Sequence, residues 1–524
     1  MANAPGRRAA TPAARSFSEP PATPLERPTK ESLSKWSLPV TLDTHSEEPL
    51  FLQIARGIAA DIRRGRLRRR ARLPGSRTLA TTLRVHRNTV LAAYAELGAE
   101  GWVETTRARG TFVSGELPEL APRRARGARQ EADARPTRVA YPLEPDQGLW
   151  AYQRPNVRYV MPDGLPDLRV VPSAALARAY RRALRDPASQ GLAYGDPRGN
   201  PRLRAALAEM LAATRGLAIG ADDVLVTRGS QMALELIARC LFSPGDVVAV
   251  EDPGYRAAWQ AFRAHGARLV PLPVGPAGVD VDALAALARS TPVRAVYTTP
   301  HHQYPTTVTL SPGQRLALLE LAREKGFAIV EDDYTHEFHY DGRPVLPLAS
   351  TDGSGSVLYI GTLSKILAPG LRLGYLVAPP DFLQRAARER FSIDIQGDHV
   401  LEQAIGELFD DGEVQRHARR ARRLYEARRD FMVARLRKVL GGALAVEPPS
   451  GGIALWARVA EDIDVPAWSA RALELGVFFA QGRHFSFTDR PLANLRLGFA
   501  GFDAHEATEA IQLLAQALHD VRRR

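Results

Sequence analysis

The chain has 524 residues, 45% of them hydrophobic, with a net charge of +12, a pI of about 10.0 and a single cysteine. That length exceeds one ordinary core and predicts about two to four domains, while the lone Cys240 excludes an intrachain disulfide and a cysteine-built zinc site. The N-terminal MANAPGRRAATPAARSFSEPPATP has no apolar core and no run of about 18 apolar residues follows, so the expectation is a cytoplasmic protein with no membrane span.

Residues 1–45 are rich in Pro, Ala, Ser and Thr, with little to bury, and are expected to form a disordered tail. Residues 46–114 read as compact. In LFLQIARGIAADIRRG, Leu50, Ile54, Ile58 and Ile62 recur every fourth residue, predicting a helix that stops near Gly65. LPGSRTLATTLR opens a second helix after a Pro-Gly turn, with Ser76 as its N-cap. HRNTVLAAYAELGAEG carries Val90, Tyr94 and Leu97 on one face of a third helix that ends at Gly101. WVETTRARGTFVS then reads as a β-hairpin. Between Phe51 and Val113, thirteen arginines stand against four acidic residues. Such a patch suits a polyanion, or equally the solvated faces of an arginine-biased chain.

Three helices and a basic hairpin make a winged helix-turn-helix. The first turn of its third helix, Arg87, Asn88 and Thr89, is placed to reach base edges of double-stranded promoter DNA, and Arg77, Arg107 and Arg109 to reach phosphates or a minor groove. Ser76, Gly110 and Thr111 are assigned to the same surface. Along its whole length this segment resembles the GntR-type winged helix, through LPGSRTLATTL, RNTVLAAYAELGAEGW and RGTFV. Residues 115–155 lack periodicity, are rich in Pro, Arg and Ala, and read as a linker.

From residue 156 to 524 the texture changes. DVVAVEDPG, ARLVPLPVG, VRAVYTTP, FAIVEDDY, GSVLYIGTLSK and LGYLVAPP are apolar runs that end in polar or Gly/Pro turns and alternate with helical stretches. They predict an α/β domain with a mostly parallel sheet, whose ligand lies beyond the carboxyl ends of the strands. Four of these ends belong together. TRGSQMALELIARCL sets Gly229, Ser230 and Gln231 at a helix start, where free N–H groups suit an anion. AVEDPGYRAAW presents the aromatic Tyr255. IVEDDYTHEFHY crowds Glu331, Asp332 and Asp333 after an apolar strand, so at least one of them needs a cationic partner. A metal site at His336 and His339 is the lesser reading there, and a carboxylate aimed at a protonated ring nitrogen the better one. GTLSKILAPGLRLGY holds one of only five lysines in the chain. Lysine forms Schiff bases and arginine does not. Thr362 and Arg372 can hold a phosphate beside Lys365. A phosphate cradle, a stacking aromatic, an acid for a pyridinium nitrogen and an amine are the four groups that pyridoxal 5'-phosphate needs.

Residues 156–524 resemble the fold-type I aminotransferases, and the whole chain resembles the MocR/GabR-type transcriptional regulators. The resemblance implies a multidomain protein, with an N-terminal winged helix-turn-helix (α+β), an α/β cofactor domain and a small C-terminal α+β subdomain. It implies a homodimer in which Lys365 forms the internal aldimine, Asp332 pairs with the pyridine nitrogen, and Tyr334 bonds the ring hydroxyl. Tyr255 would stack on the ring, and Gly229, Ser230, Gln231, Thr362 and Arg372 would hold the phosphate. Tyr194 would reach a phosphate across the dimer, and Arg496, in NLRLGFAGFD, would clamp an amino acid's carboxylate. One turn departs from the family. Where aminotransferases show Asn-Pro-Thr-Gly, this chain has Gln303, Tyr304, Pro305, Thr306 and Thr307, with Gln303 or Tyr304 as the substitute for the Asn. His301 and His302, just before, read as turn residues rather than ligands. The expected function is a regulator that senses a small amine or amino acid by aldimine exchange at Lys365. The alternatives are a working aminotransferase with an ancillary DNA-binding segment, and a DNA-binding protein that no longer holds the cofactor.

Overall fold

A computed structural model describes residues 42–43, 46, 48–106, 109–118, 141–142, 155–161, 164–186, 191–342 and 344–523. The expected disordered tail lies almost wholly outside the described residues, as do most of the expected linker and Arg107. The chain divides into two compact units, Met1–Glu144 and Pro145–Arg524.

In the first unit, helices α1 (Leu50–Arg63), α2 (Ser76–Leu83) and α3 (Arg87–Ala99) precede the strands β1 (Val103–Thr106) and β2 (Gly110–Val113). The every-fourth-residue stripe of α1 puts Ile54, Ile58 and Ile62 against Val90, Ala93 and Leu97 of α3, all of them buried. Each such isoleucine contributes roughly 1.5–3 kcal/mol through burial. Tyr94 fastens α3 to the Pro-Gly turn by donating its hydroxyl to the Pro74 carbonyl at 2.7 Å. β1 and β2 pair antiparallel from Val103 with Val113 to Thr106 with Gly110. One expectation is corrected here. The N-cap of α2 is Gly75, and Ser76 is already helical, because the Pro-Gly turn delivers an extended residue one position earlier. At α3 the cap is His86, whose ring accepts from the Asn88 amide.

The second unit begins with β3 (Tyr159–Val160), α4 (Ser173–Arg185), α5 (Pro201–Arg215) and β4 (Val224–Thr227). There follow α6 (Ser230–Leu241), β5 (Val247–Asp252), α7 (Arg256–Ala264), β6 (Arg268–Gly275), β7 (Gly278–Val279) and α8 (Val281–Ser290). Next come β8 (Val293–Thr298), α9 (Pro312–Lys325), β9 (Ala328–Asp333), β10 (Val357–Thr362), β11 (Gly374–Val377), α10 (Pro380–Asp394) and α11 (His399–Asp410). The strands from β4 to β11 form one eight-stranded sheet in the order β4-β11-β10-β9-β8-β5-β6-β7. Its neighbours pair parallel from β10 through β9, β8 and β5 to β6, while β11 runs antiparallel to both β10 and β4. The reversal at β11 follows from its connection. Residues 363–373 contain no crossover helix, and a parallel return needs one.

Both faces of this sheet are buried, which is why its strands read as continuous apolar runs. Val224, Val226, Ala249, Val296 and Ile329 face one helical layer, and Leu225, Val248, Val250, Ala295 and Val330 face the other. The remainder is α12 (Glu413–Leu440), β12 (Leu444–Ala445), β13 (Ala454–Val459), α13 (Val465–Glu474), β14 (Val477–Phe478), β15 (Ala480–Gln481), β16 (Asn494–Gly498) and α14 (Ala504–Arg522). A second sheet, β12-β13-β16-β15, packs there with a core that includes Leu455, Trp468, Leu497 and Leu514.

Candidate cofactor and DNA-binding sites

The carboxyl ends of β4, β5, β8, β9 and β10 share one edge of the sheet, and the turns that follow them carry the site. The Asp332 carboxyl at the end of β9 is 4% exposed. Its Oδ2 accepts from the Tyr297 hydroxyl at 3.0 Å, while Oδ1 has no hydrogen-bond partner among the described residues. Burial pushes this carboxyl up to about 7, against the Tyr297 hydrogen bond and the Lys365 ammonium, with the carboxylates of Asp333 and Glu251 reinforcing the rise. An orphaned buried oxygen is costly to leave unpaired. It fits a cationic N–H donor such as a protonated pyridine ring.

The crowding of three acids is resolved by separate partners. Asp333 is held well below the usual carboxylate range despite its burial, because the His336 ring at 2.9 Å and the buried Arg215 at 3.8 Å favour its charge. Tyr359 also donates its hydroxyl to Asp333 at 2.8 Å. Glu331 accepts the Leu348 and Ala349 amides at 2.8 and 2.9 Å, and burial still drives it up to about 7.

Lys365 is half-buried in the turn after β10. In the same segment Thr362 accepts the Ser364 amide at 3.1 Å and donates to the Leu373 carbonyl at 3.3 Å. The phosphate end lies where α6 begins. Gly229 sits at φ 75°, and a Cβ there would lie 2.9 Å from the Arg372 guanidinium. Arg372 donates to the Arg228 carbonyl at 3.0 Å, which fixes its guanidinium beside the first turn of α6. Ser230 and Gln231 stand in that turn, whose leading N–H groups have no intrahelical acceptor. The Gln231 side chain, by contrast, is tied to the Ala257 carbonyl at 3.3 Å. Gly229 caps α6.

A ring cluster closes the opposite wall. Tyr255, the N-cap of α7, meets Tyr304 edge-on with centroids 5.2 Å apart, and Tyr304 lies 6.0 Å from Tyr334. The Arg496 guanidinium stacks 4.4 Å from the Tyr304 ring and donates to the Pro305 carbonyl at 2.7 Å. Burial pushes the Tyr334 phenol up to about 12, opposed by the charge and hydrogen bond of Arg496. Arg496 is 1% exposed, and its Nε has no partner among the described residues, which leaves that N–H for a carboxylate.

The choice left open between Gln303 and Tyr304 is decided by what each side chain touches. Gln303 points away from the ring cluster. Its amide donates to Glu251 at 3.1 Å and to the Pro253 and Tyr304 carbonyls, and its oxygen accepts from Thr306. Gln303 therefore builds the turn, and Tyr304, directly before Pro305, faces the site. Thr307 holds the left-handed conformation, φ 66°, at the place of the family's glycine. Tyr194 is 82% exposed in its own chain. Sequence reasoning missed Tyr297, and also Glu251, which anchors Thr298, Thr299 and Gln303. A buried acid two residues before a Pro-Gly turn was the available signal.

In the winged helix, Arg77, Arg87, Asn88 and Arg109 are exposed, and Thr89 is half-buried beneath them. Arg87 donates to the Ser76 hydroxyl at 3.3 Å, joining the starts of α3 and α2 into one basic surface. Gly110, at φ 111°, lies under the Arg72 guanidinium. Thr111 does not belong to this surface. It is buried, with its hydroxyl on that of Thr105 at 3.1 Å, because strand alternation turns it to the inner face of the hairpin.

Fold and site define a pyridoxal phosphate-binding, aminotransferase-like domain on one chain with a DNA-binding winged helix. Residues 164–514 match the aminotransferase class I and II family, and residues 50–113 match the bacterial regulatory proteins of the gntR family. The chain belongs to the MocR/GabR-type transcriptional regulators. It is 33% identical to the probable rhizopine catabolism regulatory protein MocR of Rhizobium meliloti, over 91% of this chain and 95% of that one. Aromatic-amino-acid aminotransferase 1 of Thermococcus litoralis is 34% identical over 68% of this chain and 87% of its own. The crystal structure of the alpha-aminoadipate aminotransferase LysN from Thermus thermophilus, complexed with N-(5'-phosphopyridoxyl)-L-leucine, covers 70% of this chain and 92% of its own. Its TM-score is 0.65 at 30% identity. No helix among the described residues is long and apolar enough to cross a membrane.

Proposed function

We propose that the protein regulates transcription as a homodimer on promoter DNA, in response to a small amine or amino acid that engages bound pyridoxal phosphate at Lys365. The observation that carries this reading is the pairing, on one chain, of an exposed Arg87 at the start of α3 with the unpartnered Asp332 oxygen within the field of Lys365. Pyridoxal phosphate, when bound, supplies an aldehyde carbon that condenses reversibly with primary amines. Asp332 would hold the ring nitrogen, Tyr255 and Tyr334 the ring, and Ser230, Gln231, Thr362 and Arg372 the phosphate. Tyr194, exposed in its own chain, would reach the partner's site.

Lys365 would be the amine that holds the group at rest, and its charge would differ between the resting and the effector-bound site. An effector carboxylate would compete with the Pro305 carbonyl for Arg496, and so act on the turn that carries Tyr304. Both are local charge changes able to bias a two-state arrangement of the chain. The test is a gel-shift series on the promoter beside the protein's own gene, with and without cofactor, across a panel of amines. One amine or amino acid is expected to alter binding only when cofactor is present. Footprints indifferent to cofactor and to every amine would overturn the proposal. The second reading, a working aminotransferase, is favoured by the unpartnered Nε of Arg496 in the ring cluster of Tyr304 and Tyr334. Steady turnover of an amino acid with a keto acid would establish it.

A further inference from the structure

Four buried histidines that the cofactor does not use converge behind the site. β8 and β9 are parallel neighbours, so the segments that leave their carboxyl ends run side by side. His301 and His302 come from the first segment, and His336 and His339 from the second. One ring nitrogen from each of His301, His302 and His339 lies within 4.8 Å of the other two. In sequence the first pair reads as turn residues and the second as a weak metal signal, and neither segment announces the other.

We propose that His301, His302 and His339 form a binding site for a divalent transition-metal ion of the Zn2+, Co2+ or Ni2+ class. The donors are unsatisfied as they stand. Among the described residues, neither ring nitrogen of His301 has a hydrogen-bond partner, nor has Nε2 of His302 or Nδ1 of His339. All three residues are more than nine-tenths buried. A buried imidazole without a partner bears the full desolvation cost of its polar atoms, and three facing one another bear it together. Ligand nitrogens around a tetrahedral ion at about 2.0–2.1 Å stand roughly 3.4 Å apart, so small side-chain rotations close the cluster onto an ion. Three neutral imidazoles leave a fourth position open.

The surroundings orient the rings as metal ligands are oriented. His302 holds Thr335 Oγ1 through Nδ1 at 3.0 Å, and its Nε2 is left without a partner among the described residues. His301 stacks on His336 with centroids 4.5 Å apart, and His336 is fixed by Asp333 at 2.9 Å. The ionised Asp333 supplies negative charge beside the cluster, while the Arg315 and Arg422 cations oppose an ion. Gly451 makes room, since a Cβ there would fall 2.1 Å from His302 Nε2. A cavity of about 340 Å³ that touches His336, His339, Gln415 and Arg422 gives a route inward.

An ion at this place would tie the turn carrying Tyr304 to the segment carrying Tyr334. Metal occupancy would thereby stiffen one wall of the cofactor pocket without touching the cofactor. The test uses tag-free, full-length holoprotein stripped with a chelator and titrated with Co2+. Visible d–d bands should saturate at one ion per chain, with a matching Zn2+ stoichiometry by equilibrium dialysis and elemental analysis. His301→Ala and His339→Gln should each weaken binding about tenfold or more while keeping the cofactor's visible band as a check of folding. Sub-stoichiometric Co2+ in the wild-type chain would overturn the site, even if both variants failed to fold. Undiminished binding in both variants would overturn it too, by placing the ion at surface histidines. Neither outcome bears on the cofactor reading.

Discussion

Asp332→Asn separates the cost of a buried acid from its use. In the cofactor-free chain this carboxyl is pushed up to about 7 from its ordinary 3.8. A folded-state value above the unfolded one means that the fold holds the proton more tightly, so stability is lost as pH rises through that window. The penalty is about 4 kcal/mol at pH 8 and under about 2 kcal/mol at pH 5. Asn removes it. The cofactor-free variant should therefore gain on the wild type by about 2–3 kcal/mol more at pH 8 than at pH 5. Glu331 titrates in the same window in both proteins and cancels in the comparison. With cofactor the sign reverses, because the ring nitrogen loses its buried counter-charge. Retention should weaken by about 2–5 kcal/mol, roughly thirty-fold to several thousand-fold. Urea unfolding of the large unit at several pH values, and cofactor release followed by visible absorbance, read the two halves. Parallel pH profiles for the two cofactor-free proteins, or undiminished retention in the variant, would refute the assignment.

Arg87→Ala should weaken promoter binding by about 1–3 kcal/mol and leave the cofactor's visible spectrum unchanged, as measured by gel shift and absorbance. Arg496→Ala should keep the cofactor but abolish the response to carboxylated effectors, read as spectral change on titration with amino acids and with their decarboxylated amines. Gly229→Ala places a Cβ 2.9 Å from Arg372 at φ 75° and should loosen cofactor binding by about 1–3 kcal/mol, seen as a raised dissociation constant. Ile58→Ala, in the core of the winged helix, should cost that unit about 2–5 kcal/mol and lower its own melting transition alone.

What the sequence disclosed was whatever one segment decides by itself. The spacing of Leu50, Ile54, Ile58 and Ile62 is a local property, and so are the Pro-Gly turns and the doubly buried strands. Lys365 stood out because basic charge elsewhere in the chain is carried almost entirely by arginine. The cap position at α2 shifted by one, since a glycine in extended conformation takes the cap ahead of the serine. Thr111 was misplaced because two β-prone runs do not state which face a given residue takes. The contest between Gln303 and Tyr304 could not be settled within the turn. It depends on Glu251, fifty-two residues upstream, which draws the Gln303 amide inward. The histidine cluster is likewise a product of strand adjacency, and neither segment signals the other.

The meeting of α6 with β11 has a kinetic side. Gly374 lies so close to Gly229 that a Cβ on it would stand 2.8 Å from the Gly229 carbonyl carbon, and Arg372 completes the same contact. The cradle thus joins stretches well over a hundred residues apart, and pairings of such long range are intrinsically slow to form. A ligand that needs both stretches in place binds the folded chain and not the unfolded one. Its grip would raise the stability of the folded chain by mass action, and the folded fraction would follow cofactor supply.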